Sequence, residues 1–541
     1  MINLGTRRTE RLLQHVAREF FQQPNFNPPW KAVHIAGTNG KGSVAAYTSS
    51  FLRRCLQRTD GQAVRIGRFT SPHVIDRWDC ITINDTSVSR EVFEKVEDQV
   101  LSLKDVVARE LRLEALEKND KGKVIILSEE ELRRLSEPTQ FELLTATAFT
   151  IFSTPNPTPC DVAIIECGIG GAEDATNALP DSAIGLSVIT RIGVDHLGIL
   201  GRSIEDIVHH KAGIARQDVQ VLVDGSNETD LVQLIKHNIK LARRYDDQKV
   251  QAMVEISTPG APLMLSNNVD HRDTSHWLDV CRGLMHHQRT NLRLAQRASQ
   301  DMLTYFEEHS SNVVPCNGRL SPVYPEILRL VVEDANVSYP ARLQILPPGW
   351  LDGENVPFLG HLNNCTLLLD GAHNEQSAQV LRSKVVSMLE AENMDMRDVV
   401  WILGMSSTKP PTAIIKTLLS SPGDQGLAKL DCIHNIVFTQ FSPVDGMPWV
   451  KSHTTKDLST EFAKMQEVPS TELVKQAPNV LEALQEAENL LAQRHKAKEV
   501  QHLIVVAGSL YLASDFLRLM RDGREAFQQY CAHSENHNGL G

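Results

Sequence analysis

His34–Ser50 reads HIAGTNGKGSVAAYTSS, and the fold turns on how this stretch is read. An apolar run, AVHIAG, ends in a glycine-rich loop, and a helical pattern follows through Leu56. Strand, glycine loop and helix in that order make the phosphate-binding unit of nucleotide enzymes. The common form of that loop is G-x-x-x-x-G-K-[ST], with a hydroxyl directly after the lysine. Here Gly42 separates Lys41 from Ser43, and Ile35 stands where the first glycine belongs. The chemistry survives the change. Gly37, Gly40 and Gly42 let the backbone turn and approach a ligand closely. The helix starting near Ser43 offers free N–H groups, and Lys41 adds a full positive charge.

Outward from the loop, apolar strands alternate with helix-length segments. DVAIIECG and AIGLSVITRIG follow in the first half; CTLLLDGAHN, DVVWILGM, HNIVFTQF and HLIVVAGSLYL follow in the second. Such alternation implies parallel sheets covered on both faces. The fold class is therefore α/β, with two domains: a P-loop NTPase-like domain over residues 1–315 and a Rossmann-like α/β domain over 316–541. The Ser-, Asn- and Pro-bearing stretch Glu307–Pro325 suits the linker. Residues 103–137 are densely charged and read as a helix-plus-loop insertion at the surface. The first helix is expected to turn Leu12, Leu13, Val16 and Phe20 inward.

Length and composition narrow the class. The chain has 541 residues, 41% apolar and 23% charged, as an ordinary globular protein does. Its formal charge of −12 argues against a nucleic-acid partner. No apolar run approaches the ~20 residues of a membrane helix. Nine cysteines without a C-x-x-C pair fit a reducing compartment. A cytoplasmic protein is expected. The Arg-rich start would suit a mitochondrial leader, but Glu10 and Glu19 speak against one.

Four further sites carry chemistry. Glu166 ends the strand of DVAIIECGIGG, where Mg²⁺-nucleotide enzymes place a carboxylate; the alternative is a solvated strand-end acid. Asp195 and His196 follow the strand of ITRIGVDHLGILG, at the end where α/β proteins bind ligands. Ser203–Asp206 is a capping pattern, and Lys211 lies at the far end of that helix. Its simple reading is a cation complementing a helix C-terminus. Asp370 and His373 follow the strand of LLLDGAHN, where the D-G turn alone would explain Asp370.

Taken together, HIAGTNGKGSV, FTSPHVIDRWDCITIN, FELLTATAF, ECGIGGAEDATNAL, ITRIGVDHLGILGRSIEDIVHHKAGI, LLLDGAHN and VVAGSLYL resemble the folate branch of the Mur ligase superfamily. They run in family order from about residue 34 to 516, nearly the whole chain. The loop of that family normally reads G-T-N-G-K-G-S, so Gly42 is the family's own form. The resemblance implies an ATP-dependent ligase acting on small molecules. A folate-pathway carboxylate attacks the γ-phosphate of ATP, and the amine of L-glutamate then attacks the acyl phosphate. A carboxylate meeting a triphosphate requires cations between them.

Carried over by position, the resemblance implies the following roles. Gly37, Thr38, Asn39, Gly40, Lys41, Gly42 and Ser43 hold the triphosphate. Ser71 and Glu166 coordinate one Mg²⁺, and Glu166 with His196 serves a second. Lys211 is the lysine carbamylated by CO₂, and Lys41, Glu166, His196 and Lys211 form the catalytic set. Gln288, Asn291, Arg342, Asp370 and His373 contact the nucleotide. Thr139, Phe141, Asp174 and Ala175 form the pterin pocket. A monomer is expected. Ala172 and Glu173 depart from the family's Arg-Leu, and Ala341 replaces a family glycine.

Two activities belong to this branch: adding the first glutamate to dihydropteroate, and extending the glutamate chain of tetrahydrofolate. The segments INLGTRRTERLLQH, DCITIN, SPVDGMPWV and VVAGSLYL look closer to fungal monofunctional enzymes of the first kind. The first activity is therefore expected, with the second, or both, as the alternative. A nucleotide-binding protein without catalysis rests on residues 172 and 173 alone.

Overall fold

The computed structural model describes residues 4–119, 127–155, 158–257, 280, 284–316, 325–351, 357–390, 396–419, 433–465, 471–492 and 501–538. They form two compact units, Met1–His73 with Trp78–Tyr339, and Val74–Arg77 with Pro340–Gly541. Among the described residues no helix is long and apolar enough to cross a membrane.

The strands of the first unit are β1 (Lys31–Ala36), β2 (Leu56–Arg58), β3 (Ile66–Phe69), β4 (Ile81–Ile83), β5 (Thr86–Ser87), β6 (Val162–Glu166), β7 (Ile184–Ile189), β8 (Val221–Asp224), β9 (Val254–Ser257) and β10 (Val313–Pro315). Eight of them make one sheet, in the order β5-β4-β3-β6-β1-β7-β8-β9. From β3 to β9 the pairing is parallel; β4 and β5 add an antiparallel edge. β1 reads as an unbroken apolar run because both its faces are covered. Val33 and Ile35 pack with Val44 and Phe51 of helix α2 (Lys41–Cys55). Ala32 packs on the opposite face with Leu12, Leu13 and Val16 of helix α1 (Arg7–Phe20). Phe20 is only half-buried at the rim of that cluster.

The described residues of the charged stretch 103–137 include two helices, α3 (Lys104–Asn119) and α4 (Glu129–Ser136). A capping box between Ser128 and Glu131 starts the second. Next comes α5 (Gln140–Ser153), buried through Phe149 and Phe152.

The division between the units falls at Tyr339/Pro340, not at 315/316. Two observations explain the shift. Within the expected linker, β10 pairs antiparallel with β2, Val313 opposite Arg58. Beyond it, helix α8 (Pro325–Ser338) buries Leu328, Val331 and Ala335 in the core behind α2. The Asp334 carboxylate then accepts hydrogen bonds from Ser50 at 2.5 Å, Arg54 at 2.6 Å and Arg53 at 2.7 Å. Composition marks a linker, but an apolar helix face decides which unit a segment joins. Helices α6 (Ile204–Ala212) and α7 (His286–His309) complete the elements that matter for the site.

The second unit carries a six-stranded sheet of β11 (Gln344–Leu346), β12 (Thr366–Leu369), β13 (Met396–Leu403), β14 (Ile433–Phe438), β15 (Thr471–Gln476) and β16 (Gln501–Ala507). Its order is β11-β12-β16-β13-β14-β15, parallel except for β11.

Candidate active site

The order β3-β6-β1-β7 places four strands side by side with their carboxyl ends level. Phe69 lies opposite Ile165, Ile35 opposite Glu166, and Ala36 opposite Ile189. Four segments distant in sequence therefore leave the sheet at one edge: Thr70–Ser71 after β3, Glu166 closing β6, the glycine loop after β1, and the His196 segment after β7. Carboxyl ends of parallel strands are where open α/β sheets bind ligands.

The loop is braced by side chains from elsewhere in the chain. Gly37 has φ +150°, and a Cβ there would overlap the Thr190 hydroxyl. Gly40 has φ +93°, and a Cβ there would meet Asn291 Oδ1 at 2.5 Å. A Cβ on Gly42 would overlap the Tyr339 hydroxyl. The amides of Thr38 and Asn39 donate to the Arg191 carbonyl at 2.9 and 3.1 Å, and Thr190 Oγ1 donates to the Asn39 carbonyl at 2.9 Å. Gly40 caps α2 without a side chain, so no side-chain acceptor at that position takes the first N–H groups. Gly40→Ala should cost about 2 kcal/mol, from the left-handed backbone and the Asn291 contact. Denaturant unfolding measures it; unchanged stability would contradict the bracing.

Two lysines and one buried acid face this loop. Lys41 Nζ lies 3.7 Å from Glu166 Oε1. Glu166 is 3% exposed, and its other oxygen accepts the Ser71 amide at 3.3 Å. Lys211 Nζ donates to the Gly37 carbonyl at 2.6 Å. The capping box that starts α6 aims Lys211 there, two turns after Ser203. Burial, and then the charge of Lys41, lower the Lys211 amine to a pKa of about 7. His196 sits in the left-handed region at φ 55°, its amide donating to Asp195 Oδ1 at 2.8 Å. Ser71, Glu166, Lys41 and Lys211 are thus brought to the loop, and His196 stands on the segment beyond the neighbouring strand.

The residues read as a pterin pocket divide into two groups. Thr139 caps α5 in a reciprocal box with Glu142, whose carboxylate is held by the buried Arg8 at 2.8 Å. Phe141 lies against the Gly168 backbone and stacks on Phe69, ring centroids 6.1 Å apart. Asp174 is buried: its oxygens accept from the Ile169 amide at 2.8 Å, the Thr176 amide at 3.0 Å and the Thr176 hydroxyl at 2.5 Å. Burial raises its pKa. Ala175 is buried beside it. The network continues below the sheet edge, with His34 Nε2 2.9 Å from Thr176 Oγ1 and 3.2 Å from Cys167 Sγ. Burial keeps His34 neutral, with a pKa of about 3. Ala172 packs against Gly213, where an added Cβ would come within 2.4 Å of its own, so the end of α6 requires glycine there.

Asn291 touches the loop directly, whereas Gln288, one turn earlier on α7, accepts the Met285 amide at 2.9 Å. Arg342, Asp370 and His373 gather within the second unit. Asp370 accepts the Leu343 amide at 2.7 Å and the Ala372 amide at 2.8 Å, and its burial pushes the carboxyl up to about 6. Arg342 Nη1 lies against Gly371, and His373 Nδ1 is 2.9 Å from the Gly371 carbonyl. Ala341 has φ 60°, which is why glycine suits that position.

Thr190 and Tyr339 went unnoticed in the sequence. Nothing in the sequence singles either out, although Thr190 lies within ITRIGVDHLGILG; only the folded contacts with Gly37 and Gly42 expose them.

Known proteins resemble this chain along nearly its whole length. The family "Dihydrofolate synthetase, C-terminal domain" matches residues 360–519. The probable dihydrofolate synthetase of Schizosaccharomyces pombe is 30% identical over 530 residues, covering 96% of this chain and 99% of that one. The dihydrofolate synthetase of Saccharomyces cerevisiae is 28% identical, covering 96% and 98%. Among solved structures, folylpolyglutamate synthase of Mycobacterium tuberculosis, complexed with ADP and AMPPCP, superposes with a TM-score of 0.61 at 20% identity, covering 95% of each chain. A bifunctional folylpolyglutamate synthase/dihydrofolate synthase with Mn, AMPPNP and L-glutamate bound gives 0.57 at 18%, covering 96% and 95%.

Proposed function

The chain belongs to the dihydrofolate synthetase–folylpolyglutamate synthase family, the folate branch of the Mur ligases, and from this we propose that it joins L-glutamate to 7,8-dihydropteroate at the expense of ATP. One observation supports the site: adjacent strand ends set Glu166 and Ser71 beside the glycine loop that carries Lys41, and α6 brings Lys211 to the same loop.

The reaction has two transfers. The dihydropteroate carboxylate attacks the γ-phosphorus, the bond to the β-phosphate oxygen breaks, and ADP leaves. The glutamate nitrogen then attacks the acyl carbon and loses a proton, and the tetrahedral intermediate expels phosphate. The chain's part is positioning and charge. Gly40–Ser43 offer the triphosphate their backbone N–H groups, Thr38 and Asn39 having given theirs to the Arg191 carbonyl, with Asn291 packed against Gly40. Lys41 neutralises charge on the transferred phosphoryl. Phe141, backed by the buried Phe69, offers an aromatic face to the pterin, and Asp174 shapes the Gly168–Gly171 turn beside it.

Glu166 and Ser71 suit a hard divalent ion: a buried carboxylate and a hydroxyl-bearing residue, already hydrogen-bonded to each other. Among the described residues no group of three or more His, Cys, Asp and Glu could hold a metal by itself. The Glu166–Ser71 pair itself favours Mg²⁺ completed by phosphates and water, with His196 assigned to a second ion. Mg²⁺ bound there would offset the charge between carboxylate and triphosphate. Lys211, as a near-neutral amine, is suited to carbamylation.

The test is direct. Purified protein is given ATP, Mg²⁺, labelled glutamate and either dihydropteroate or tetrahydrofolate. Label is expected in dihydrofolate, with one ADP released per bond. Incorporation into tetrahydrofolate alone would overturn the acceptor, and no ADP with either acceptor would overturn the ligase reading.

A further inference from the structure

We propose that the Tyr339 hydroxyl takes the place at the phosphate loop that a side chain on Gly42 would hold, and there contacts the ATP phosphates, while Ser71 serves the metal. The inference rests on the reading that this loop holds the triphosphate. In the common loop, the residue after the lysine carries a hydroxyl to the metal at the phosphates. Gly42 occupies that position and has no side chain. A Cβ built on Gly42 would overlap Tyr339 Oη and Cζ, so the tyrosine fills the space of the missing side chain. The hydroxyl therefore arrives from a residue far along the chain.

Tyr339 is fixed in place. It is 9% exposed, and its amide donates to the Ala335 carbonyl at 2.9 Å, extending the last turn of α8. The fully buried Arg68 clasps the same turn, donating to Ser338 Oγ at 3.2 Å and to the Ser338 carbonyl at 3.0 Å. Arg68 lies 3.5 Å from Asp85, which accepts from Ser49 of α2 at 2.8 Å. Asp334 binds Ser50, Arg53 and Arg54 of α2 from α8 itself. The helix that begins at the loop and the helix that ends at Tyr339 are thus joined by ion pairs. A hydroxyl held this way is preorganised, as an anion-binding group should be.

The experiment uses the full chain, with AMPPNP and Mg²⁺ as the probe and calorimetry as the readout. Tyr339→Phe should weaken AMPPNP binding about 10-fold or more, the effect of one hydrogen bond to a charged group, while the KM for dihydropteroate stays unchanged and thermal unfolding shows the fold retained. Gly42→Ser, which restores the common sequence, should weaken binding about 100-fold while Tyr339 occupies the space. Combining Gly42→Ser with Tyr339→Ala should return affinity to within about 10-fold of wild type, because the serine hydroxyl then takes over. Unchanged affinity in Tyr339→Phe, or no recovery in the double variant, would overturn the proposal. Wild-type protein that bound no AMPPNP would overturn the function proposed above as well.

Discussion

Lys211→Arg should lower kcat about 10³-fold, the scale set by removing one preorganised electrostatic group from an active site. A cation that merely complements the end of α6 would tolerate arginine. Lys211 is not so placed: it is 3% exposed and donates at 2.6 Å to the carbonyl of Gly37, the first glycine of the loop. Burial and the neighbouring Lys41 bring its pKa to about 7. Its neutral amine can attack CO₂, forming a C–N bond and releasing one proton to leave an anionic carbamate. Arginine stays protonated and cannot do this. Wild-type activity should therefore fall in CO₂-depleted buffer and return with bicarbonate. Short carboxylic acids should partly restore Lys211→Ala. Full activity in Lys211→Arg would refute the carbamate.

The pH dependence follows in sign. The folded pKa of about 7 lies below the ordinary 10.5, so the unfolded chain binds more protons between those values. Burying the ammonium costs stability in full below pH 7, and the cost disappears as pH rises from about 7 toward 10.5. Reactivation by bicarbonate should accordingly fail at pH 6 and succeed at pH 8. Equal reactivation at both would place the titrating group elsewhere.

Glu166→Gln should reduce kcat about 10²- to 10³-fold and raise the Mg²⁺ concentration needed for half-maximal rate. The substitution keeps the shape of a 3% exposed side chain and removes only its charge. That charge faces Lys41 at 3.7 Å, beside the Ser71 amide. Without it, a divalent ion would lose the buried carboxylate beside Ser71, and Lys41 would lose its anionic partner. The measurement is a Mg²⁺ titration of initial rate, with thermal unfolding to show the fold intact. An unchanged Mg²⁺ dependence would remove Glu166 from the metal site.

Much of the site could be read in one dimension because its parts are local. The loop, the strand-end Glu166 and the cap at Ser203 each depend on residues a few positions apart. Strands buried on both faces announce themselves as continuous apolar runs, as KAVHIA and VAIIE do. The boundary between the units was misplaced for a related reason. Proline and serine are local signals of a linker, whereas the packing of Leu328 and Val331 behind α2 is not.

The two-part α/β design, the glycine-rich loop and the charged residues proposed around it were legible in the chain as a string of letters. Spatial strand order belonged to the tertiary structure: β6 enters between β3 and β1, setting Glu166 between Ser71 and the loop. So did the low pKa of Lys211, which requires burial and a second lysine nearby. Tyr339 is the clearest case. Gly42 and Tyr339 are almost 300 positions apart, and no periodicity links them. A missing side chain is filled by whatever the packed chain brings to that point, and side-chain contact at long separation is settled only when the core closes.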